Sequence, residues 1–232
     1  MSLPRLYDLA GADPAIRFSP YCWRIRLALA HKGIAVETIP WRFTDKAAIG
    51  FSGQGKVPVL VDGETVVFDS ERIADHLEAR HPDRPSLFGG AAGRALARFL
   101  HHWTVQMLHP EIARLVVPDL FPRLAEPDRA YFRASREAAF GLCIEELPAQ
   151  RPERLAALSR ALAPLRALLE TQPYLSGTAP LYADHIVFGA FQWARVASPL
   201  VLVAPEDPVA AWRERMLDAY GGLGRAMAAA AA

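Results

Sequence analysis

The sequence predicts an α/β domain followed by an all-α domain, and three observations support that fold class. Residues 3–81 alternate short strand-like runs with helical runs, whereas the chain from residue 94 onward shows almost only helical periodicity. The segment between them, HPDRPSLFGGAAG, contains two prolines and three glycines, which is typical of a linker. Hydrophobic residues make up 52% of the 232 residues and charged residues 22%, values typical of a packed globular protein.

These observations predict a first domain at 1–82, a linker at 83–93 and a second domain at 94–232. The first domain is expected to follow the order βαβαββα, a small mixed sheet with helices on its faces. Its predicted strands are 3–9, 35–39, 57–61 and 65–68, and its predicted helices are 20–32, 45–49 and 70–80. Gly33 is expected to end the first helix, and Asp62-Gly63 to join the last two strands in a hairpin.

The second domain is predicted to be a helical bundle. Its expected helices are 94–108, 128–146, 153–171, 182–196 and 208–220. Cys143 lies inside one of these patterns and is expected to be a buried packing residue.

Charge and cysteine usage exclude several classes of protein. Lys+Arg number 26 and Asp+Glu 25, so the formal net charge of +1 gives no reason to expect a nucleic acid or an anionic membrane as partner. Two cysteines cannot build a disulfide framework or a four-cysteine zinc site, and they suit a reducing compartment. We find no secretory signal and no membrane-spanning segment. The sequence therefore predicts a soluble, cytoplasmic protein without a bound metal.

The segment Ser-Pro-Tyr-Cys-Trp-Arg at 19–24 begins the first predicted helix and allows two interpretations. Ser19 is a favoured helix cap, and Pro20 suits the first helical position. A helix start also stabilises anions, so Ser19 could hold a thiolate. Cys22 follows Ser19 at the spacing of a CxxC redox motif that lacks its first cysteine. It is therefore either a small buried side chain or a reactive thiol.

Two further segments combine ordinary structural signals with possible chemistry. Val57-Pro58 opens a predicted strand, where a cis bond would expose the backbone of Val57 to an extended peptide. Asp69-Ser70 opens the third predicted helix and could either cap it or bind a carboxylate there. Each signal is weak when taken alone.

Taken together and in order, these three segments resemble the glutathione transferase superfamily. The resemblance extends through both predicted domains, because residues 182–187 (Tyr-Ala-Asp-His-Ile-Val) are similar to the family's capping-box helix. Leu181 departs from this pattern, since it cannot act as the cap and leaves Asp184 alone to accept a backbone N–H. The segments 19–24 and 182–193 most resemble the serine-type branch that contains bacterial lignin β-etherases and fungal etherase-like transferases.

The resemblance implies a thioredoxin-like first domain that binds glutathione and a helical second domain that forms the pocket for the electrophile. It implies Ser19 as the catalytic residue, and Lys56, Val57, Pro58, Asp69 and Ser70 as glutathione-binding residues. It further implies a homodimer that uses glutathione as co-substrate and a small hydrophobic electrophile as second substrate. Aryl ethers are among the electrophiles that the resemblance allows. The pocket for the electrophile is expected to include Tyr21, Trp103 and Trp193.

Two other functions remain open at this stage. The chain could be a non-catalytic protein of the same fold that binds aromatic ligands, since fold does not fix function. It could also be a glutathione-dependent disulfide reductase that uses Cys22, although a nucleophilic thiol is expected at the position of Ser19.

Overall fold

The computed structural model describes residues 3–231 and contains one four-stranded mixed sheet. Its strands are β1 (Arg5–Leu9), β2 (Glu37–Trp41), β3 (Val59–Asp62) and β4 (Thr65–Phe68), in the spatial order β2-β1-β3-β4. β1 pairs in parallel with β2 and antiparallel with β3, and β3 and β4 form the predicted hairpin. Gly63 in its turn has a φ of 63°, a left-handed conformation that glycine adopts without strain.

Helices complete the first half of the chain: α1 (Pro20–His31), a 3₁₀ helix (Lys46–Ser52) and α2 (Ser70–Arg80). The parallel pair β1–β2 needs a crossover connection, and α1 supplies it. α1 is buried around most of its circumference because it lies between the sheet and the second half of the molecule. Gly33 follows it with a φ of 65°, as the sequence predicted.

The second half is helical throughout. Its helices are α3 (Ala91–Trp103), α4 (His109–Leu120), α5 (Glu126–Phe140), α6 (Arg151–Ala161), α7 (Ala163–Leu169), α8 (Tyr182–Ala197) and α9 (Pro208–Ala226). A π turn (Thr104–Leu108) joins α3 to α4, and 3₁₀ helices occupy Phe121–Arg123 and Ile144–Gln150. The predicted fold class, a mixed α/β domain of the thioredoxin-like type followed by a helical domain, is confirmed. None of the helices in residues 3–231 is long and apolar enough to cross a membrane.

Several predicted helix boundaries in this half are wrong. The predicted helix 94–108 starts earlier, at Ala91, and continues through the π turn into α4, because Pro110 lies in a first turn that needs no N–H from it. The predicted helix 128–146 stops at Phe140, where Gly141 turns left-handed. Cys143 consequently lies outside the helix and is exposed, not packed.

The predicted helix 153–171 is two helices, α6 and α7, with Leu162 between them. The last predicted helix, 208–220, ends close to the predicted position, because within α9 the backbone leaves the helical conformation from Ala219 to Gly222 before a short helical segment continues to Ala226. Tyr220 lies in this break with a φ of 54°.

α1 and α8 pack closely, and this contact joins the two halves of the chain. Gly189 makes the approach possible, because a Cβ built there would lie 2.5 Å from the carbonyl oxygen of Pro20. Asp184, near the start of α8, accepts N–H groups from Leu175, Ser176 and Leu181 and the indole N–H of Trp212. The half capping box expected from Asp184 is therefore present, and Leu181 has no polar atom with which to complete it.

A cluster of two histidines and a tyrosine holds the other end of α1. His31 Nε2 donates to the carbonyl oxygen of Ser86 at 3.0 Å, so its Nδ1 accepts from the Tyr220 hydroxyl, also at 3.0 Å. Tyr220 in turn accepts from His185 Nε2 at 2.7 Å. Burial lowers the pKa of both histidines, and that of His185 falls well below its usual value. Both rings are therefore neutral near pH 7.

Candidate active site

Ser19 caps the start of α1 at the end of an extended segment. Its φ and ψ are −63° and 123°, and its Oγ accepts the backbone N–H of Cys22 at 3.2 Å. Pro20 occupies the first helical position, where its missing N–H costs nothing. Ser19 is 4% exposed, yet it lines a cavity between the two halves of the chain. A hydroxyl that accepts one hydrogen bond can still donate another, so Ser19 can serve as cap and as donor.

Cys22 lies one turn into α1 and is fully buried. Burial raises the pKa of its thiol well above the usual value, and the nearby carboxylate of Asp8 raises it further. Reactive cysteines have lowered pKa values and partial exposure, so this environment is the opposite of the one that a redox role needs. The geometry therefore favours the packing interpretation of Cys22 over the redox one.

The start of β3 presents a backbone without hydrogen-bond partners. The Val57–Pro58 bond is cis. Within residues 3–231, neither the N–H nor the C=O of Val57 has a hydrogen-bond partner. Lys56, just before it, is exposed and forms no ion pair in the described chain. A half-buried residue with both backbone groups unpaired can bind an extended peptide in the manner of an added strand.

The start of α2 has two features typical of a binding site. Asp69 has a φ of 70°, which is strained for a residue with a side chain, and its Oδ1 caps the helix by accepting N–H groups from Glu71 at 2.9 Å and Arg72 at 3.2 Å. Ser70 is 1% exposed, and its buried hydroxyl has no hydrogen-bond partner within the described residues. An unpaired buried hydroxyl at a helix start is suited to donate a hydrogen bond to a bound anion.

Tyr182 of α8 connects the second half of the chain to this helix start. Its hydroxyl donates to the carbonyl oxygen of Ser70 at 2.8 Å, and the contact is buried. Burial raises the pKa of Tyr182, so the phenol stays protonated and keeps donating at any physiological pH.

Two adjoining cavities lie along these segments. The first, of about 360 Å³, is called the polar cavity here; it is lined by Tyr21, Gln54, Lys56, Val57, Pro58, Asp69, Ser70, His101 and Val105. All five residues predicted to bind glutathione line it. The second, of about 460 Å³, is called the aromatic cavity; its walls include Phe18, Ser19, Tyr21, Trp41, Phe43, His109, Tyr131, Phe132, Arg136, Phe140 and Trp193. Tyr21, Lys56 and Val57 line both cavities.

Of the three residues predicted for the electrophile pocket, Tyr21 and Trp193 line the aromatic cavity. The Trp193 ring packs edge-on against His109, with centroids 5.9 Å apart. Trp103 lines neither cavity of the described chain; it lies half-buried at the end of α3 and packs against the hydrophobic core. The geometry of the described chain therefore favours Tyr21 and Trp193 over Trp103 as walls of the pocket for the electrophile.

Sequence reasoning missed two histidines at this site. His101 lines the polar cavity, and His109 lines the aromatic one. Burial and the nearby guanidinium of Arg24 lower the pKa of His101 to about 4 and that of His109 to about 3, so both rings are neutral near pH 7. His109 Nδ1 lies 3.3 Å from the hydroxyl of Tyr21, whose pKa is raised by burial and which therefore donates. No local sequence pattern marks either histidine, because both reach the cavities only through the packing of the two halves of the chain.

The described residues offer no group of three or more His, Cys, Asp or Glu side chains that could hold a metal ion. What the arrangement offers is a polar cavity with a helix start, an unpaired hydroxyl and an unpaired backbone segment. Beside it, a hydroxyl at a second helix start faces an apolar, aromatic space. Such a pair of cavities can bring a peptide-like anion and an aromatic molecule together at Ser19.

Comparison with known proteins agrees with this arrangement. A family profile described as the glutathione S-transferase N-terminal domain matches residues 14–85, and one described as its C-terminal domain matches residues 95–201. The chain belongs to the glutathione S-transferase superfamily. The family resemblance found in the sequence is thus confirmed, whereas its assignment to the etherase branch is not tested by these matches.

Several glutathione transferases are similar to this protein along most of the chain, and one other protein is similar along part of it. Glutathione S-transferase 4 of Zea mays is 28% identical over 214 residues, which is 87% of each protein. The crystal structure of the glutathione transferase GSTFuA3 of Phanerochaete chrysosporium is 26% identical, covers 98% of this chain and 95% of that one, and superposes with a TM-score of 0.77. A stringent starvation protein A homolog of Pasteurella multocida is 30% identical over 96 residues, only 40% of this chain and 45% of that protein.

A glutathione S-transferase of Ceriporiopsis subvermispora, crystallised in complex with glutathione, has the same fold with a TM-score of 0.79. It is 20% identical, and the superposition covers 99% of both chains. At that identity the likeness concerns the fold.

Proposed function

We propose that this protein is a glutathione transferase in which Ser19 activates the thiol of glutathione for attack on an aromatic electrophile. The observation that carries the proposal is the continuity of the two cavities. All five residues expected to hold glutathione line the polar cavity, which meets the aromatic cavity at Tyr21, Lys56 and Val57. Ser19 lies in the aromatic cavity beside that junction.

In this proposal glutathione binds in an extended form along the polar cavity. The α-carboxylate of its γ-glutamyl end pairs with the Ser70 hydroxyl and the start of α2, and the carboxylate of Asp69 takes the α-amino group. The backbone of Val57 pairs with the cysteinyl part. Lys56, which forms no ion pair in the described chain, binds the glycyl carboxylate. Each assignment joins a group of the protein to a complementary group of the tripeptide; all of these groups except Asp69, whose Oδ1 caps α2, have no partner in the described chain.

Ser19 then donates a hydrogen bond to the sulfur and stabilises the thiolate, with the positive end of the α1 dipole behind it. A hydrogen bond to a charged group contributes about 1.5–3 kcal/mol, and one pKa unit corresponds to about 1.4 kcal/mol. Ser19 thus lowers the pKa of the thiol by roughly one to two units. That raises the thiolate fraction by at most a few tens-fold, so positioning of the electrophile in the aromatic cavity must supply the rest.

Glutathione and a small aromatic molecule are thus the proposed partners, and aryl ether cleavage is one reaction that the aromatic cavity would accommodate. We propose the boundaries 1–82, 83–93 and 94–232 for the two domains and the linker. We also propose a homodimer in the cytoplasm. The dimer is supported by Phe99 and Met107, which are 65% and 49% exposed and lie on the connected segment from α3 to the π turn.

The aromatic cavity also favours a second candidate, a protein that binds aromatic ligands without transforming them. The disulfide reductase is disfavoured because the Cys22 thiol is buried and its pKa is raised. One experiment separates the two remaining candidates: calorimetric titration with glutathione, followed by turnover of an activated aryl halide. Micromolar-to-millimolar glutathione binding with turnover supports the transferase. If aromatic compounds bind but millimolar glutathione produces no heat, the result supports the second candidate, the non-catalytic protein that binds aromatic ligands.

A further inference from the structure

The charges that line the aromatic cavity are all of one sign. Lys46, Lys56 and Arg136 are its charged residues, and no aspartate or glutamate lines it. None of these three cations forms an ion pair with a carboxylate in residues 3–231. The chain has almost equal numbers of acidic and basic residues, so this separation of charge belongs to the cavity and not to the overall composition.

Arg136, on α5, is half-buried and has no carboxylate partner in the described chain. Its guanidinium lies half-buried against Phe132, 4.6 Å from the ring centroid, and 5.8 Å from that of Phe43. Its one side-chain hydrogen bond within the described residues goes from Nη1 to the hydroxyl of Ser135 at 3.0 Å, a neutral acceptor. Burial lowers the pKa of Arg136, but a guanidinium remains charged at neutral pH.

Arg133 on the same helix provides a comparison, because its partners are carboxylates of the protein itself. Arg133, on α5 but outside the cavity, pairs with Glu137 at 2.8 Å and with Glu145 at 2.7 Å. Arg136 has five N–H donors in a planar fork and uses one of them on a hydroxyl. Removing a charge from water is costly unless a partner compensates it, so the cavity is suited to a ligand that brings the negative charge.

The two lysines have other partners. Lys46 donates to the carbonyl oxygen of Gly55 at 2.6 Å, with its ammonium 4.8 Å from the ring centroid of Trp41 and 5.1 Å from that of Tyr131. Lys56 also lines the polar cavity, where the proposed function assigns it to glutathione. Arg136 is therefore the cation left for the second substrate.

We propose that the second substrate is an aromatic electrophile that carries a carboxylate, and that Arg136 binds this carboxylate while the aromatic walls hold the ring. The inference rests on the proposed transferase function, whose second substrate it specifies. A planar carboxylate fits the guanidinium fork with two parallel hydrogen bonds, which fixes orientation as well as affinity. Arg136 is thus a specificity-determining residue that selects acidic aromatic compounds over neutral ones of the same shape.

The carboxylate takes no part in the bond changes. The thiolate sulfur of glutathione attacks the ring carbon that bears the leaving group, a carbon–sulfur bond forms, and the leaving group departs with the electron pair of its bond to carbon. The thiol proton has already passed to solvent. Arg136 holds the far side of the ring so that the reacting carbon faces Ser19.

The test compares a chloronitrobenzoate, with chlorine para to the carboxylate and the nitro group ortho to chlorine, with its methyl ester. The variants are Arg136→Met, which keeps the apolar stem on Phe132, and Arg136→Lys, which keeps the charge. Arg160→Met is the matched control, because Arg160 is exposed on α6 and forms no ion pair in the described chain. Thermal unfolding of each variant shows whether it is folded.

For Arg136→Met we expect kcat/KM to fall about ten- to a hundredfold for the carboxylate, the effect of losing a charge-assisted pair, and to change by less than about twofold for the ester. Arg136→Lys should restore part of the loss, and Arg160→Met should behave like the unmodified protein. Equal losses for acid and ester would mean that Arg136 only packs, and no loss for either would mean that it binds nothing. Both results overturn the inference.

A binding measurement distinguishes failure of the carboxylate site at Arg136 from failure of the proposed transferase function. Nitrobenzoate and methyl nitrobenzoate lack a leaving group and can be titrated calorimetrically with or without glutathione. If the protein binds no glutathione and turns over neither substrate, the transferase proposal fails. Selective loss of nitrobenzoate binding in Arg136→Met would still support the anion site, and unchanged binding would overturn it.

Discussion

The polar cavity and the aromatic cavity share three residues, yet they are built from different parts of the chain. The polar cavity is formed mainly by the starts of β3 and α2, which contribute backbone groups, a cap and one hydroxyl. The aromatic cavity is formed by side chains from both halves, which meet only in the folded protein. The cavity proposed for glutathione thus follows from local chain geometry, whereas the one proposed for the second substrate follows from packing.

The difference also concerns charge. The polar cavity contains both an acid, Asp69, and a base, Lys56, and so matches a zwitterionic peptide. The aromatic cavity contains only bases. A mutation that affects one cavity should therefore leave the binding preference of the other unchanged, except at residues near the junction.

Ser19→Ala tests the junction and should have the largest effect. Loss of one hydrogen bond to a charged sulfur should raise the pKa of bound glutathione by roughly one to two units and lower kcat/KM about ten- to a hundredfold. Glutathione should still bind with a Kd within about threefold, because its other contacts remain. Ultraviolet thiolate absorbance against pH measures the pKa, and calorimetry measures the Kd. An unchanged pKa with normal turnover would remove Ser19 from the mechanism.

The cluster of His31, Tyr220 and His185 lies outside both cavities and provides a test of the contacts that join α1 to the second half of the chain. The folded-state pKa of His185 lies well below its unfolded value of 6.5, so the unfolded chain takes up a proton below that pH which the folded protein does not. Stability from this group is therefore complete above pH 6.5 and is lost as pH falls, by up to about 1.4 kcal/mol per pH unit. Urea unfolding at several pH values measures the slope.

His185→Gln is the control for this pH dependence, because glutamine can keep a hydrogen bond to Tyr220 but does not titrate. Its unfolding free energy should fall less steeply with acid than that of the unmodified protein. Asp8 and Asp184, whose pKa values are raised by burial, contribute in the opposite direction and are present in both proteins. Identical slopes in the two proteins would show that His185 is not the group that titrates.

Ser70→Ala should affect the polar cavity alone and less strongly. It removes one contact to the γ-glutamyl end, so we expect glutathione binding to weaken about two- to tenfold and KM to rise by the same factor, with kcat nearly unchanged. Binding of nitrobenzoate in the aromatic cavity should not change. Loss of kcat at constant KM would mean that Ser70 acts on the reacting sulfur, contrary to its assignment.

Cys22→Ala should have the smallest effect on chemistry. The thiol is buried and protonated, so the pKa of bound glutathione and the turnover should stay within error while stability falls by about 1–2 kcal/mol from the cavity that is left. Cys143→Ala is the matched control, because Cys143 is exposed and its replacement should change stability by less than about 0.5 kcal/mol. Loss of turnover in Cys22→Ala would revive the reductase.

The sequence predicted most accurately the parts of the fold that local signals control. α2 was predicted residue for residue, since Asp69 and Ser70 signal its start. The sequence predicts no helix over 109–120, since Pro110 and Pro118 are unfavourable inside a helix; in the structure Pro110 lies in the first turn of α4 and Pro118 near its end. The break in the segment 153–171 falls at Leu162, and Pro164 in the first turn of α7 is the local signal that marks it.

The candidate site shows the same division. The residues of the polar cavity that the sequence singled out lie on strand and helix starts, whose chemistry can be recognised in a few neighbouring residues. Arg136 and His109 line the aromatic cavity with Ser19 although 117 and 90 positions separate them from it in the chain. No local pattern in the sequence predicts that these residues meet, and the same holds for the position of Trp103 outside both cavities.

The π turn Thr104–Leu108 allows the shape of the aromatic cavity to change in evolution through the loss of a single residue. A π turn holds one residue more than the α turn that it replaces. Deleting a single codon in this stretch would restore the regular turn and rotate the chain after it by about 100°, which would carry His109 away from Trp193. An insertion or deletion of one residue can thus change the shape of the aromatic cavity without replacing any residue that we assign to glutathione.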